Sequence, residues 1–449
     1  MQSILRSSDG AYDADAKFNC TLCMSLGVPL VPSERLLRLP GYNHKTFWSP
    51  SPEDEFAGVG AAHVLASTGK NRFVQTRDAA QEAFGALVHV GLDGLSVPEL
   101  KFVGGFSFQP ARFDSPLWRG FGDGHFVLPR LAYTRRAQRA WLTLSASASD
   151  LSGVEGRTRL ARETDTALQA LRREDSDAPS ERHDAVATDG SEEVWSVLVN
   201  GICGEIAAGR LEKAVAARCV VLRGACMPSP AQVLERLRDA RDSTRFALSV
   251  GDLTFLGASP ERIVKCSGLR VWTEALAGSV QGDDATHGES LFLSPKDRAE
   301  HAIVAHEIRA LLAPLFDSLI IDGPHLHRLR YVSHLRTRFE GILKKREHVL
   351  DLVARLHPTS AVGGAPRIAA LAWLAEHEHT ERGFYAGPFG TFDREGNGEF
   401  VVAIRSGLLG PEEAHLFAGA GIVEGSKVES ELCETRWKLQ GLMTAMGVT

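Results

Sequence analysis

Glu431 and Glu434 stand three residues apart and Lys438 follows four further on, so a helix would put all three on one stripe. Val428, Leu432, Leu439 and Leu442 supply the burying side of that helix. Alone, the stripe reads as a solvated face with a Glu-to-Lys pair. The preceding segment, Leu416-Phe417-Ala418-Gly419-Ala420-Gly421-Ile422, opens a second reading, because a strand of small residues lets backbone approach a ligand closely. Two carboxylates just after such a strand suit a hard, oxygen-seeking cation such as Mg²⁺, which takes one or two protein carboxylates and leaves the rest to water and substrate. A second acidic group, Asp297, Glu300 and Glu307, marks one edge of another helix, where Asp297 also favours the helix dipole. Lys213 lies among small and apolar residues, Leu211 to Ala217, and points either into a site or into water. Glu261 follows the turn Gly257-Ala258-Ser259-Pro260 and is either a cap or a site acid.

Other motifs lead nowhere. Gly58-Val59-Gly60-Ala61-Ala62-His63 has the look of a dinucleotide loop, but its lead-in Ser51-Pro52-Glu53-Asp54-Glu55 is no apolar strand. The sequence contains no GxxxxGK[ST], HExxH or GxSxG. Cys20 and Cys23 form one CxxC without the second pair a zinc ribbon needs, and the chain's 7 cysteines are scattered, so they read as small apolar fillers rather than a disulfide framework.

The elements that must position these groups read as α+β. Phe102–Phe108, Phe126–Pro129 and Ala140–Leu144 are strand-like runs between Gly and Pro breaks, followed by a helix over Arg157–Arg172. Arg173–Glu193 is polar, acidic and poor in bulky apolar residues, and is expected to be an exposed linker. Beyond it come a helix from Val194 to Ala208, a strand over Leu211–Leu222 and a helix over Pro230–Ala240. Short strands are expected at Phe246–Leu248, Phe255–Gly257, Arg262–Lys265 and Leu269–Trp272. A helix over Ala299–Leu315, a hairpin about Asp393–Gly398 and a final helix from Ser430 to Met443 complete the pattern.

The 449 residues are 44% apolar and 24% charged with a formal net charge of −6, an ordinary globular balance without the basic excess of a nucleic-acid or anionic-membrane binder. No run approaches the ~18 apolar residues of a membrane span, and Met1–Asp13 has no hydrophobic region of a secretory signal, so a cytoplasmic protein is expected.

Eight ordered motifs carry a family resemblance. They are Phe255-Leu-Gly-Ala-Ser-Pro-Glu261, Ala275-Leu-Ala-Gly-Ser279, Pro295-Lys-Asp-Arg-Ala-Glu-His301 and Ser333-His-Leu335, then Leu356-His-Pro-Thr-Ser-Ala361, Tyr385-Ala-Gly387, Ile404-Arg-Ser-Gly407 and Phe417-Ala-Gly-Ala-Gly-Ile422. In this order they resemble the chorismate-utilising enzymes, densely from Val194 to Gly441 and only loosely upstream. The resemblance implies one large domain of two stacked antiparallel sheets with outer helices, residues 1–172 forming a variable N-terminal part, 173–193 a linker and 194–449 the chorismate-binding region. It further implies an Mg²⁺-dependent cleft, with Lys213 as the base that activates water and Glu261 as the acid that protonates the departing 4-hydroxyl. Glu300 and Glu434 match the metal carboxylates, with Asp297 and Glu431 beside them. Gly278, Ala361, Arg405, Gly419, Gly421 and Lys438 match substrate-contacting positions, with His334 and Tyr385 nearby.

Physically, a dianionic substrate calls for an arginine fork, a lysine and a divalent cation. A neutral lysine near pH 7 requires its pKa to fall by roughly 3 units, about 4 kcal/mol, while a buried glutamic acid is pushed the other way. Within the family, Lys213 argues against the ammonia-using anthranilate synthases, Ala277 against the aminodeoxychorismate synthases and Ala361 against the salicylate synthases. The implied activity is therefore isochorismate formation from chorismate, with salicylate formation by pyruvate elimination or a silent chorismate-binding protein as alternatives. The product would feed menaquinone, siderophore or salicylate formation. A monomer without an amidotransferase subunit, nucleic acid or membrane partner is expected.

Overall fold

In the computed structural model, the residues described are 20–92, 94, 96–111, 115–173, 186–189, 192–224, 227–240, 242–282 and 285–448. The N-terminal segment Met1–Asp13 and most of the expected linker, residues 174–185 and 190–191, lie outside them. Within that linker, Val186–Asp189 is a strand that pairs with Lys213–Arg223.

Two sheets dominate the described residues. The larger runs, edge to edge, through Val186–Asp189, Lys213–Arg223, Glu413–Ile422, Ser406–Leu409, Leu253–Ser259, Thr244–Val250, His44–Ser51, Asp54–Val59, Leu131–Arg136, Arg139–Ser147, Thr21–Val28 and Leu87–Gly91. The smaller runs through Phe316–Arg328, Val332–Leu343, Arg270–Gln281, Arg262–Ser267, Gly398–Val402, Pro388–Asp393, Lys101–Phe106, Gly124–Leu128 and His63–Ser67. Pairing is antiparallel except between Thr21–Val28 and Leu87–Gly91. The alternation of large inward side chains joins the two sheets face to face. Phe246 of one sheet and Phe389 of the other lie 4.6 Å apart between ring centroids, and Trp48 stacks on Phe389. Helices cover the larger sheet on its outer side through a second apolar cluster that includes Leu36, Leu160, Leu234 and Leu439.

Strands from the first 150 residues sit inside both sheets: His44–Ser51 pairs with Thr244–Val250, and Lys101–Phe106 with Pro388–Asp393. The expected helices occur at Gly153–Arg172, Glu192–Ala207, Pro230–Arg236, Pro295–Leu312 and Val428–Ala445. The expected short strand at Leu269–Trp272 is in fact Arg270–Gln281, continuing through Ala275-Leu-Ala-Gly-Ser279. Small residues there gave no alternation to read. The Gly58–His63 segment joins two strands, Asp54–Val59 and His63–Ser67, so no helix N-terminus is present to bind a phosphate.

Candidate active site

Lys213 opens the strand Lys213–Arg223, whose register against Glu413–Ile422 pairs Val215 with Gly421 and Ala217 with Gly419. Alternation sends Ala214, Ala216, Ala420 and Ile422 into an apolar cluster beneath the helices Glu192–Ala207 and Arg367–His377. Lys213, Val215, Gly419 and Gly421 are left on the opposite face. The Lys213 side chain is fully buried, and its Nζ lies 2.9 Å from Glu300 Oε1. A Cβ on Gly421 would stand 2.1 Å from that same oxygen and 3.0 Å from Lys213 Cε, so the lysine–glutamate pair occupies space that only a glycine leaves free.

Two helices bring the other charges. Ser294 caps the helix Pro295–Leu312 by accepting from the Asp297 N–H, with Pro295 in the first turn. This helix presents Lys296, Asp297 and Glu300. The helix Val428–Ala445 presents Glu431, Glu434 and Lys438. Besides Lys213–Glu300, Lys296 pairs across the helices with Glu431 at 2.5 Å, and Lys438 pairs within its own helix with Glu434 at 2.5 Å. Lys438 also donates to the Gly419 carbonyl at 2.9 Å. Burial acts to raise Glu300, but Lys213, Lys438 and Lys296 together hold the carboxyl below its ordinary value. Burial raises Asp297, with Glu300 and Glu434 adding to it, and burial likewise raises Glu431 beside Glu434.

Glu261 follows the strand Leu253–Ser259, and its carbonyl accepts from the Val402 N–H at 3.0 Å. Burial, reinforced by the charge of Glu274, pushes its carboxyl up to about 8 against the opposing pull of Lys213, Lys438 and Arg405. It is therefore a carboxylic acid at neutral pH, able to give a proton.

Arg405 holds a left-handed backbone conformation, φ 53°. Its Nη2 donates to His334 Nε2 at 3.1 Å. An imidazole nitrogen that accepts from a guanidinium carries no proton, so the His334 proton is on Nδ1, which donates to the Gly278 carbonyl at 2.9 Å. Burial, with Arg405 and Lys438 adding to it, keeps that imidazole neutral. Gly278 can offer its carbonyl there because it sits at φ 74° in a register shift between Ala277 and Ser279. Burial lowers Arg405 to about 10, still a cation, and among the described residues no carboxylate forms a salt bridge with it. The Tyr385 ring stacks 5.2 Å from Phe417, and burial raises its phenol to about 12, which keeps it a donor.

These side chains enclose a small cleft. Glu261, Gly278, Glu300, His334, Ala361, Tyr385, Arg405, Gly419, Gly421 and Lys438 line it, as do Val215, Leu276 and Ile404, which no sequence signal singled out. Lys213 lies directly behind Glu300, Glu434 is drawn to Lys438, and Asp297 packs against Gly278. Glu431 is buried and turned to Lys296. Glu307, on the same helix edge, serves the scaffold instead, accepting from the Ser360 N–H at 2.6 Å. A more apolar cavity of about 1120 Å³ shares Arg405 and Lys438, but Glu261 and Glu300 line the smaller cleft and not this one.

Among the described residues no three His, Cys, Asp or Glu side chains converge as a metal-holding group. Cys23 is buried and bonded to Ser145, and the CxxC builds no metal centre. The carboxylate-rich edge, with Glu300 and Glu434 on its two helices and each paired with a lysine, does fit a cation that needs just one or two protein carboxylates.

A family model described as chorismate binding enzyme matches residues 22–447. The chain is 36% identical over 410 residues to the salicylate biosynthesis isochorismate synthase of Pseudomonas aeruginosa, covering 89% of this chain and 84% of that one. It is 33% identical over 425 residues to isochorismate synthase MenF of Bacillus subtilis, covering 90% and 88%. Among solved structures, the menaquinone-specific isochorismate synthase MenF of Escherichia coli superposes with a TM-score of 0.78 at 26% identity, over 99% of this chain and 98% of that chain. Anthranilate synthase component I of Streptococcus pneumoniae shares the fold, with a TM-score of 0.67 at 19% identity over 90% of this chain and 92% of that one.

Proposed function

The chain belongs to the chorismate-binding enzyme family, and from that premise we propose that it is an isochorismate synthase, converting chorismate to isochorismate in the cleft between Lys213 and Glu261. Water adds at C2, the ring double bonds shift, and the 4-hydroxyl leaves as water. One group must take a proton while another gives one. The observation that carries the reading is that a glutamic acid that stays protonated at neutral pH lines the cleft, with a buried lysine directly behind its Glu300 wall.

Glu261 gives its proton to the leaving hydroxyl, which makes a poor leaving group a good one. Lys213, in its neutral form, takes the proton from the attacking water, and Glu300 at 2.9 Å stabilises the ammonium that results. Arg405 is a half-buried cation whose hydrogen-bond partner is a neutral imidazole, so its charge is available to a substrate carboxylate. Lys438 and the Tyr385 hydroxyl stand on the same wall for further carboxylate contacts. Glu300 and Glu434 would hold Mg²⁺, which supplies positive charge to a substrate carboxylate. Since water is the nucleophile, no amidotransferase partner is needed, and a monomer working in the cytoplasm fits this chemistry. No helix among the described residues is long and apolar enough to cross a membrane.

Ala361 on the cleft wall favours release of isochorismate over further reaction, and Ala277 leaves no lysine where the aminodeoxychorismate synthases carry a nucleophile. The test is a timed incubation of the purified protein with chorismate, with and without Mg²⁺, separating products by chromatography and assaying pyruvate. Isochorismate approaching an equilibrium mixture with little pyruvate is expected. Salicylate with matching pyruvate would make the protein a salicylate synthase, and chorismate binding without turnover would reduce it to a binding protein.

A further inference from the structure

The strand Arg262–Ser267 pairs with Gly398–Val402, but its register slips between Arg262 and Val264. The Arg262 N–H instead donates to Glu274 Oε1 at 2.9 Å. Glu274 reaches it from the adjacent strand Arg270–Gln281 and is 8% exposed. Its other oxygen lies 4.0 Å from Arg336 Nη1, too far for a hydrogen bond. A buried carboxylate is thus fixed to the amide immediately after Glu261, with its charge only loosely balanced.

We propose that Glu274 is a positioning residue for the catalytic acid: its hydrogen bond fixes the Glu261–Arg262 peptide, and its negative charge keeps the proton on Glu261. The inference rests on Glu261 acting as the acid. Around Glu274 stand Arg336, the exposed Arg338 opposite it in the ladder, and Arg262. Arg262 is drawn away to Glu399 at 2.7 Å, which Lys265 also meets at 3.1 Å, and Arg336 has Asp242 and His327 as further neighbours. Around Glu261 stand Lys213, Lys438 and Arg405, all favouring its ionisation, together with the neutral Tyr385. Glu274 is the anion set against these groups.

The experiment compares pH profiles of kcat/KM in the wild type, Glu274→Gln and Glu274→Asp. Glutamine keeps an acceptor for the Arg262 N–H while removing the charge. Glu274→Gln should therefore move the alkaline loss of activity down by at least about half a pH unit, and Glu274→Asp should return it toward the wild type. An infrared titration of the protonated carboxyl band that vanishes in Glu261→Gln should show the same downward shift in Glu274→Gln. An unmoved band, even with turnover reduced, overturns the proposal, because a merely structural role would leave it in place. If Glu274→Gln fails to fold, Arg336→Gln substitutes: loss of the loose counter-charge should raise the band's midpoint, and an unmoved or lowered midpoint overturns the proposal. A wild type that makes no isochorismate, but whose band shifts as stated in Glu274→Gln, would sink the assigned activity and leave the role of Glu274 standing.

Discussion

Lys213 and Glu261 are buried in different surroundings. Lys213 is buried against a carboxylate, and Glu261 is buried where another carboxylate faces it. Lys213→Ala should lower turnover by at least about a hundredfold, the scale of a lost general base, while the protein still folds and binds chorismate. Near-normal turnover in a stopped incubation would remove Lys213 from the base role. Glu261 also has a signature in stability. Its folded pKa of about 8 lies above the ordinary carboxylate value, so the folded state holds a proton that the unfolded state has lost. Stability is therefore surrendered as pH rises from the ordinary carboxylate range toward 8. Glu261→Gln carries no titrating proton, and its thermal stability relative to the wild type should grow between pH 5 and 8, by an amount on the order of a few kcal/mol. A constant difference across that range would mean that Glu261 is ionised in the folded protein. Lys213 and Glu261 were legible in the sequence only as one lysine on a small-residue strand and one glutamate after a turn. The carboxylates that face them, Glu300 beside Lys213 and Glu274 near Glu261, come from a helix and a strand whose approach no local pattern encodes.

The cleft depends on how closely its elements meet. The strand Glu413–Ile422 and the helix Pro295–Leu312 approach so closely at Gly421 that a methyl group there would overlap Glu300 Oε1 at 2.1 Å. Gly421→Ala should therefore push the Glu300 carboxylate off Lys213 and cut kcat/KM by about tenfold or more, a displacement effect of the kind seen when a catalytic group is misplaced by about 1 Å. A crystal structure of the variant with the Lys213–Glu300 contact intact would contradict the argument. The helix Val428–Ala445 brings Glu434 to the same edge, where Lys438 now neutralises it. Removing that carboxylate in Glu434→Gln should raise the Mg²⁺ concentration needed for half-maximal activity by roughly tenfold or more, the effect of losing one of two protein ligands to a weakly held cation. An unchanged titration would place the cation elsewhere. At this scale the sequence was informative, since spacing of three and four residues marks a helix stripe. The capping residue Ser294 and the long strand through Ala275–Ser279 escaped it, because a cap is recognised only once the helix start is known and small residues carry no alternation.

The whole molecule is built by pairing across great sequence distances. Thr244–Val250 lies between Leu253–Ser259 and His44–Ser51, and Pro388–Asp393 lies between Gly398–Val402 and Lys101–Phe106. The polar, acidic segment at 173–193 suggested a division between a variable first part and a catalytic second part. In the fold, that division runs along the chain but not through space. Periodicity marks a strand's faces; it does not name its neighbour, so strands 200 or more residues apart could be recognised one by one without revealing that they complete a common sheet. The aromatic layer between the sheets makes the consequence physical. Phe246 packs on Phe389 at 4.6 Å, Phe389 stacks on Trp48, and Phe392 packs with Phe102 at 5.6 Å, so rings of the second part rest on rings of the first. A chain beginning at residue 192 would leave Thr244–Val250 and Pro388–Asp393 as open edges and expose these rings, a combination that favours aggregation over folding. That fragment, although it contains all the nominated site residues, should be insoluble or lack a cooperative thermal transition and any chorismate turnover. Co-expression with residues 1–191 should restore soluble protein, because the missing strands need only be present, not covalently joined. A fragment 192–449 that melts cooperatively and forms isochorismate alone would show that the second part folds as a unit without the strands it shares with the first.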